Sequence, residues 1–312
     1  GAREMIKILV SDGMEKEALN KLIEDGYEVV DKHFEEDELK EKIKEFDVIV
    51  VRSATKIRKP LIDEAKKGNL RLIIRGGVGV DNIDVKYATQ NGITVRNTPN
   101  ASTVSVAELT MGHIFAVSRY INIANVTMRD GKWEKKKYKG VELYGKTLGL
   151  IGFGRIAKEV AKRAAAMGMK IIYTDILGMA KEYNNYEFCE LNDLLKKADY
   201  ISVHIPFNKD QGAVVGEKEF NIMKDGVFVI NCARGGVIDE KALVKALNTG
   251  KVAGAALDVF ENEPKPCEEL LNNDRVSVTP HIGGSTVEAQ KRIGMEIVDI
   301  VEKCLDKNLV NA

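Results

Sequence analysis

The 312 residues exceed what one hydrophobic core comfortably holds, so the length points to about two domains. With 44% hydrophobic and 30% charged residues the composition is that of a soluble globular protein, and 47 basic against 47 acidic residues leave no global field toward nucleic acid or a membrane surface. No apolar run nears the ~18 residues of a spanning helix, and no secretory leader is read at the start, so partners of both kinds are expected to be absent.

Gly1–Glu4 precede Met5 and carry no weight in the reading. Ile6–Val10 reads as a strand and Glu15–Glu24 as a helix. Leu39, Ile43 and Phe46 mark a further helix, and Val48–Val51 and Leu70–Ile74 mark further buried strands. Alternation of strand and helix implies a parallel sheet. Asn97-Thr98-Pro99-Asn100 breaks the series: the proline stops a strand, and Ser102 or Thr103 can cap the next helix. That helix runs to about Arg119 and carries Val104, Val106, Leu109, Met111, Ile114, Phe115 and Val117, apolar on more than one side. Such a helix must be covered from several directions. It is read as a dimer interface, the alternative being an ordinary core helix.

A second series opens at Lys146, with strands at Leu148–Gly152, Ile171–Thr174, Tyr200–His204, Phe228–Asn231, Ala253–Leu257 and Val276–Thr279. Strands with crossover helices make a doubly wound nucleotide-binding domain. The closing helix Thr286–Leu305 and the segment Leu309–Ala312 are expected to return to the first domain. The predicted architecture is therefore α/β, two Rossmann-like parallel-sheet domains, one inserted into the other with hinges near residues 98 and 285. The substrate-binding domain would comprise 1–98 and 286–312, and the dinucleotide domain 99–285. Cys189, Cys232, Cys267 and Cys304 lack metal-ligand spacing, which fits free thiols in a reducing cytoplasm and no metal.

Gly152-Phe-Gly154-Arg-Ile-Ala157 lies between an apolar strand and a helix with Ile156, Val160, Ala164 and Met167 on one face. The first glycine permits a tight turn, the second lets backbone approach a pyrophosphate, and Ala157 lets helix and strand pack closely. The helix N-terminus adds N–H groups and positive potential. Asp175, 18 residues beyond Ala157, can accept from a ribose 2′-hydroxyl and would repel a 2′-phosphate. Ile176 and Leu177 come next, with no arginine, so NAD is the expected cofactor and NADP is disfavoured.

Hydride transfer at an alcohol carbon also needs a base and a cation for the carboxylate. Of four histidines, His33 reads as a surface residue beside Glu35–Glu38 and His113 as packed within its helix. His204 and His281 each follow a strand, at the carboxyl edge where ligands bind, so position alone does not choose between them. Asn231-Cys-Ala-Arg234-Gly-Gly places a guanidinium after a strand, suited to gripping a carboxylate in two-pronged fashion. Asp258-Val-Phe-Glu-Asn-Glu263-Pro264 puts acids after the next strand.

These motifs, with Arg75-Gly-Gly-Val-Gly-Val-Asp-Asn-Ile-Asp84, Asn97-Thr-Pro-Asn100 and Pro280-His-Ile-Gly-Gly-Ser-Thr286, stand in the order of one family. From about Val51 to Ala312 the chain resembles the D-isomer-specific 2-hydroxyacid dehydrogenases, nearest to their phosphoglycerate-oxidising branch. Gly284 stands where many relatives have alanine, a change expected to be harmless. The resemblance implies two Rossmann-like domains, NAD, and the catalytic set Arg234, Glu263 and His281. His281 would shuttle the proton, Glu263 would pair with the imidazolium and raise its pKa, and Arg234 would hold and polarise the substrate. His204 then becomes a cofactor-lining residue. Other implied cofactor contacts are Val78, Gly152, Gly154, Arg155, Ile156 and Asp175 on the early loops. Ile205, Pro206, Cys232, Ala233, Arg234, Asp258, His281, Gly283 and Gly284 are implied on the later ones.

The branch-level likeness rests on Arg52-Ser-Ala-Thr-Lys56 and Gly131-Lys-Trp-Glu-Lys-Lys-Lys137. It implies 3-phosphoglycerate or a related 2-hydroxy acid as substrate. Arg52, Arg75 and a lysine of the second segment, Lys135, would surround a phosphate, Ser53 is a further implied substrate contact, and Gly76, Gly77 and the glycine loop to Gly79 offer a backbone nest for the substrate carboxylate. Lys135–Lys137 also reads as a solvated basic loop. A homodimer, or a tetramer, without the regulatory domains of longer relatives is expected. Two other activities stay open: a glyoxylate or hydroxypyruvate reductase with the same machinery, and an NAD-sensing corepressor-like interaction protein.

Overall fold

The structure is a computed structural model in which residues 5–305 are described. The segment Leu309–Ala312, expected to return to the first domain, lies outside them. Strands β1 (Lys7–Val10), β2 (Glu28–Asp31), β3 (Val48–Val51), β4 (Leu72–Arg75) and β5 (Thr94–Asn97) pair in parallel in the order β2-β1-β3-β4-β5. Helices α1 (Lys16–Glu24), α2 (Glu36–Lys42), α3 (Lys59–Ala65) and α4 (Val85–Gln90) make the crossovers. The order reverses between β1 and β3, as in flavodoxin-like sheets. A buried parallel strand must be apolar on both faces, and β3 is: Val48 and Val50 enter one core and Ile49 and Val51 the other. Strand β2 escapes the sequence reading because an edge strand written Glu-Val-Val-Asp carries too little apolar pattern.

In the second unit α5 (Thr103–Arg119) and α6 (Ile121–Arg129) precede β6 (Thr147–Ile151), α7 (Arg155–Ala166), β7 (Lys170–Thr174), β8 (Glu187–Phe188) and α8 (Leu191–Lys197). Strands β9 (Tyr200–Val203), β10 (Val227–Asn231), β11 (Val252–Leu257) and β12 (Val276–Val278) come after these, with α9 (Glu217–Ile222), α10 (Glu240–Thr249) and α11 (Glu268–Leu271) between them. The sheet is parallel, in the order β12-β11-β10-β9-β6-β7-β8, with its switch point between β6 and β9. The two-residue strand β8 is an addition to the predicted set. Strands expected to include Gly152 and His204 stop one residue earlier, so both residues begin loops at the switch point.

Helix α5 turns Ala107, Met111, Ile114 and Val117 into the core shared with Ala157, Val160, Ala161 and Ala164 of α7. Its approach to β11 depends on Gly254, where a Cβ would lie 2.6 Å from Val117 Cγ2. Most of the apolar surface of α5 thus serves its own unit, which is the core-helix alternative, while Val104 and Phe115 remain exposed. No helix among the described residues is long and apolar enough to cross a membrane.

Helix α12 (Val287–Leu305) joins the first unit. Ile293, Ile297, Val298, Val301 and Leu305 cover the face of the first sheet built from Ile8, Val10, Val48, Val50, Leu72 and Ile74. The chain accordingly divides into residues up to Ser102 with those from Gly284 onward, and Thr103–Gly283. Residues 98–102 stay with the first unit because Thr98 Oγ1 accepts from Gly77 N at 2.8 Å and Ala101 O from Arg292 Nε at 2.8 Å.

Gly294 sets the distance between α12 and α1: a Cβ there would sit 2.7 Å from Ala18 Cβ. Helix propensity alone would favour alanine by about 1 kcal/mol. Forcing the two helices apart in a filled core costs about 1–3 kcal/mol. Gly294→Ala is therefore expected to lower stability by up to about 2 kcal/mol in denaturant titration. A stabilised variant would show that the pair has slack.

Candidate active site

The loop after β6 is built around Gly152, at φ +94°. A Cβ there would fall 2.4 Å from His204 O, so only glycine lets the ends of β6 and β9 meet. Gly154 faces open space and caps α7 without a side-chain acceptor. The N–H groups at the start of α7 are thereby left to an external anion, a fit to the diphosphate of a dinucleotide. Asp175, just after β7, accepts from Phe153 N at 2.7 Å and Leu177 N at 2.9 Å. Each oxygen keeps acceptor capacity for a ribose hydroxyl. Ile176 and Leu177 beside it are fully exposed.

His204 donates or accepts at Ser202 Oγ across 2.8 Å, and burial pushes its imidazole down to about 4. It is neutral near pH 7 and sits against the strand end. Burial, with the charge of Asp258 adding to it, pushes the Cys232 thiol up to about 12, so it is inert as a nucleophile.

Arg234 lies on the loop after β10. Asn231 shapes that loop: its Oδ1 accepts from Ala233 N and its Nδ2 donates to Arg234 O, both at 2.9 Å. Arg234 Nη1 donates to Ala233 O at 3.0 Å. Glu263 is on the loop after β11 and His281 on the loop after β12. The imidazole Nδ1 lies 3.1 Å from Glu263 Oε1 and 3.2 Å from Oε2, with both side chains partly open to solvent. His281 adopts φ +54°, a left-handed conformation that costs a non-glycine residue about 1–2 kcal/mol.

Buried contacts weld these three loops together. Asp258, 1% exposed, accepts from Thr279 Oγ1 at 2.7 Å, Ile282 N at 2.8 Å and Gly283 N at 2.9 Å. Glu240 and Glu261 clasp reciprocally: each carboxylate accepts from the other's backbone N–H, at 2.5 and 3.0 Å. Burial raises the Glu240 carboxyl above its ordinary range, with Glu261, Asp239 and Glu263 adding to the same direction. A Cβ on Gly235 would lie 1.8 Å from Phe260 O, so the arginine loop rests directly on the acidic one.

Residues 111–283 match the family described as "D-isomer specific 2-hydroxyacid dehydrogenase, NAD binding domain". The chain is 49% identical to a hydroxypyruvate reductase of Thermotoga maritima, covering 95% of this chain and 97% of that one. It is 47% identical to a D-3-phosphoglycerate dehydrogenase of Methanocaldococcus jannaschii, covering 98% of this chain and 60% of that protein. A glyoxylate reductase structure from Paecilomyes thermophila superposes with TM-score 0.89 at 32% identity, covering 98% and 97% of the two chains. The chain belongs to the D-isomer-specific 2-hydroxyacid dehydrogenases. Its cofactor is NAD(H). It spans about three fifths of the length of the phosphoglycerate dehydrogenase relatives.

The other expected contact residues differ in their exposure. Arg155, at the first turn of α7, and Pro206 are exposed, while Ile156, Ile205 and Ala233 are half-buried and Gly283 is buried. In the first unit Val78 is exposed and Ser53 lies beside Arg52 at the end of β3. Arg52 Nη2 donates to Gln290 Oε1 at 2.8 Å, and Gln290 Nε2 to Gly284 O at 3.0 Å. Arg75 turns back on its own loop, donating to Gly76 O at 2.8 Å and Gly79 O at 2.7 Å. The nest needs correction. Gly76 N–H already bonds Val51 O, and Gly77 N–H bonds Thr98 Oγ1, so an anion would have to use the N–H groups of Val78 and Gly79. Lys135 is exposed on the 3₁₀ turn Lys135–Lys137, where Lys137 pairs with Glu134 at 3.1 Å. At Gly284 a Cβ would come within 3.3 Å of Ser102 Cβ, so an alanine there would require Ser102 to give by a few tenths of an ångström. His33, read as a surface residue, is half exposed but anchored, with Nδ1 3.2 Å from Asp12 Oδ1.

Sequence reasoning missed the roles of Thr279, Glu240 and Gly235: Thr279 bonds the Asp258 carboxylate, Glu240 and Gly235 meet the backbone of the neighbouring loop, and neither kind of contact leaves a periodic signal, although Gly235 stands inside a motif that was read. Gly235→Ala tests the joint. The added methyl meets backbone and cannot be absorbed by a rotamer, so the Arg234 loop must lift from the Glu263 loop. Expected is a loss of about a hundredfold or more in kcat/KM, with cofactor affinity kept within severalfold; misplacement by about 1 Å has effects of that size. Activity within threefold of the parent would show that Gly235 is dispensable.

Proposed function

We propose that the chain is an NAD-dependent D-2-hydroxyacid dehydrogenase that oxidises 3-phosphoglycerate to 3-phosphohydroxypyruvate, a step of serine biosynthesis. The observation that carries the reading is the His281–Glu263 pair at 3.1 Å, on loops joined to the one bearing Arg234. His281 Nδ1 faces the carboxylate, which leaves Nε2 to take the proton of the C2 hydroxyl. Glu263 fixes the ring's orientation and balances its charge while it carries that proton. Arg234 grips the substrate carboxylate and polarises the C2–O bond in the reverse direction. NAD⁺ supplies the hydride acceptor. His204, neutral and bonded to Ser202, is a lining residue in this scheme.

The phosphate end of the substrate is assigned to Arg52, with Arg75 bracing its loop. This substrate choice is supported by the phosphoglycerate dehydrogenase relatives and by Arg52 held in place by Gln290. A second reading, hydroxypyruvate reduction, is favoured by the Thermotoga relative, which this chain matches over nearly its whole length. Free cysteines support a cytoplasmic setting, and exposed Ile121, Val126 and Met128 on α6 support a homodimer.

Two measurements check the reading. Steady-state kinetics of wild type and Arg52→Ala should show KM for 3-phosphoglycerate raised about tenfold or more, the scale of one lost charge-assisted contact, with little change on hydroxypyruvate. Equal losses on both substrates, or no turnover of 3-phosphoglycerate by the parent, would shift the assignment to the second reading. For the cofactor, NAD should exceed NADP in catalytic efficiency by well over tenfold, and Asp175→Ala should narrow the gap. A parent enzyme preferring NADP would contradict the role given to Asp175.

A further inference from the structure

His113, in the middle of α5, is 3% exposed and has a partner at each ring nitrogen. Nδ1 lies 3.0 Å from Ser277 Oγ and Nε2 2.7 Å from Thr279 Oγ1. The Thr279 hydroxyl has one proton, and it goes to Asp258 Oδ1 at 2.7 Å. Thr279 must therefore accept from His113, which puts the ring proton on Nε2 and leaves Nδ1 to accept from Ser277. Burial lowers the His113 pKa and keeps the ring neutral, the charge state this pattern requires. The result is a directed chain, Ser277 to His113 to Thr279 to Asp258, ending on a carboxylate that collects the N–H groups of Ile282 and Gly283.

His281 lies between Thr279 and Ile282, so both flanks of its left-handed turn hang from Asp258. Its own N–H closes onto Thr279 O at 3.0 Å. A rotated Thr279 hydroxyl would release one flank and unseat the turn. We propose that His113 is a positioning residue for the reaction: through Thr279 and Asp258 it fixes the backbone turn that presents His281 to Glu263. The proposal rests on the reading of His281 as proton carrier. Packing alone would not call for a histidine here, since Val117, one turn on along the same face of α5, is apolar.

The test places His113→Leu and His113→Gln in the wild-type and His281→Ala backgrounds. Readouts are kcat and KM for hydroxypyruvate with NADH, and NADH affinity by fluorescence. Leucine should lower kcat about tenfold or more with KM and NADH affinity within about twofold. Glutamine, long enough to donate to Thr279, should recover most of the loss. In the His281→Ala background the leucine change should have no further effect, because a group acting through His281 cannot act without it. Should the leucine variant fail to fold, Thr279→Val takes its place and Thr279→Ser serves as its rescue. Equal loss in both backgrounds, loss of NADH affinity in step with kcat, or full activity of His113→Leu would each overturn the proposal. A His281→Ala enzyme with undiminished kcat would overturn the proton-carrier reading itself, and that background control reports it separately.

Discussion

A carboxylate shut away from water must be answered by donors, and in this protein the donors that answer Asp258 come from the loop that carries the candidate residue His281. Its oxygens receive a threonine hydroxyl and two backbone N–H groups from the stretch that carries His281. Its own N–H bonds Asn231 O, at the root of the loop that carries Arg234. One buried charge thereby organises two loops from the middle strand of three. The exposed His281–Glu263 pair contributes little to stability, as partly solvated ion pairs generally do. Its geometry is held from beneath, by groups that never meet the substrate.

Close backbone approach is the second constraint. Gly152 against His204 and Gly235 against Phe260 are both contacts where the neighbour is main chain and cannot yield. The first brings together the two strands that flank the switch point. The second brings the cationic and acidic loops together. Neither glycine is needed for flexibility. Each is needed because any side chain would separate two pieces of chemistry that must lie side by side.

Much of this was legible in the sequence for identifiable reasons. Strands such as Val48–Val51 announce themselves by uninterrupted branched residues, and Asp175 by its distance from the glycine turn. Long ordered motifs singled out Arg234, Glu263 and His281, which the structure places on three loops after successive strands of one sheet edge. Edge strands β2 and β8 were not legible, since pairing on one side relaxes the demand for apolar residues. The inward turn of Asp258 was also hidden. An aspartate after a parallel strand points equally well to a ligand or to a neighbouring loop, and only the partners decide. His113 read as packing because a helix period shows which way a side chain faces, not what waits there. The nest at Gly76–Gly79 was overread: glycine spacing indicates N–H groups free of steric cover, but two of them had already been claimed by Val51 and Thr98.

The first unit is assembled from two separated stretches of chain, and this has a consequence for how the molecule is made. Its five-stranded sheet is complete at Asn97, yet one face is covered by α12, which begins at Val287. At about 5–20 residues per second, a ribosome needs roughly ten to forty seconds to bridge that gap. Throughout that interval Ile8, Val10, Val48, Val50, Leu72 and Ile74 have no α12 to lie against. The second unit, continuous in sequence, has all its pieces as soon as it emerges. Biosynthesis therefore passes through a stage in which a finished nucleotide domain trails behind a half-covered sheet. That nascent stage, rather than the folded enzyme, is where the chain is most exposed to aggregation and most dependent on chaperones.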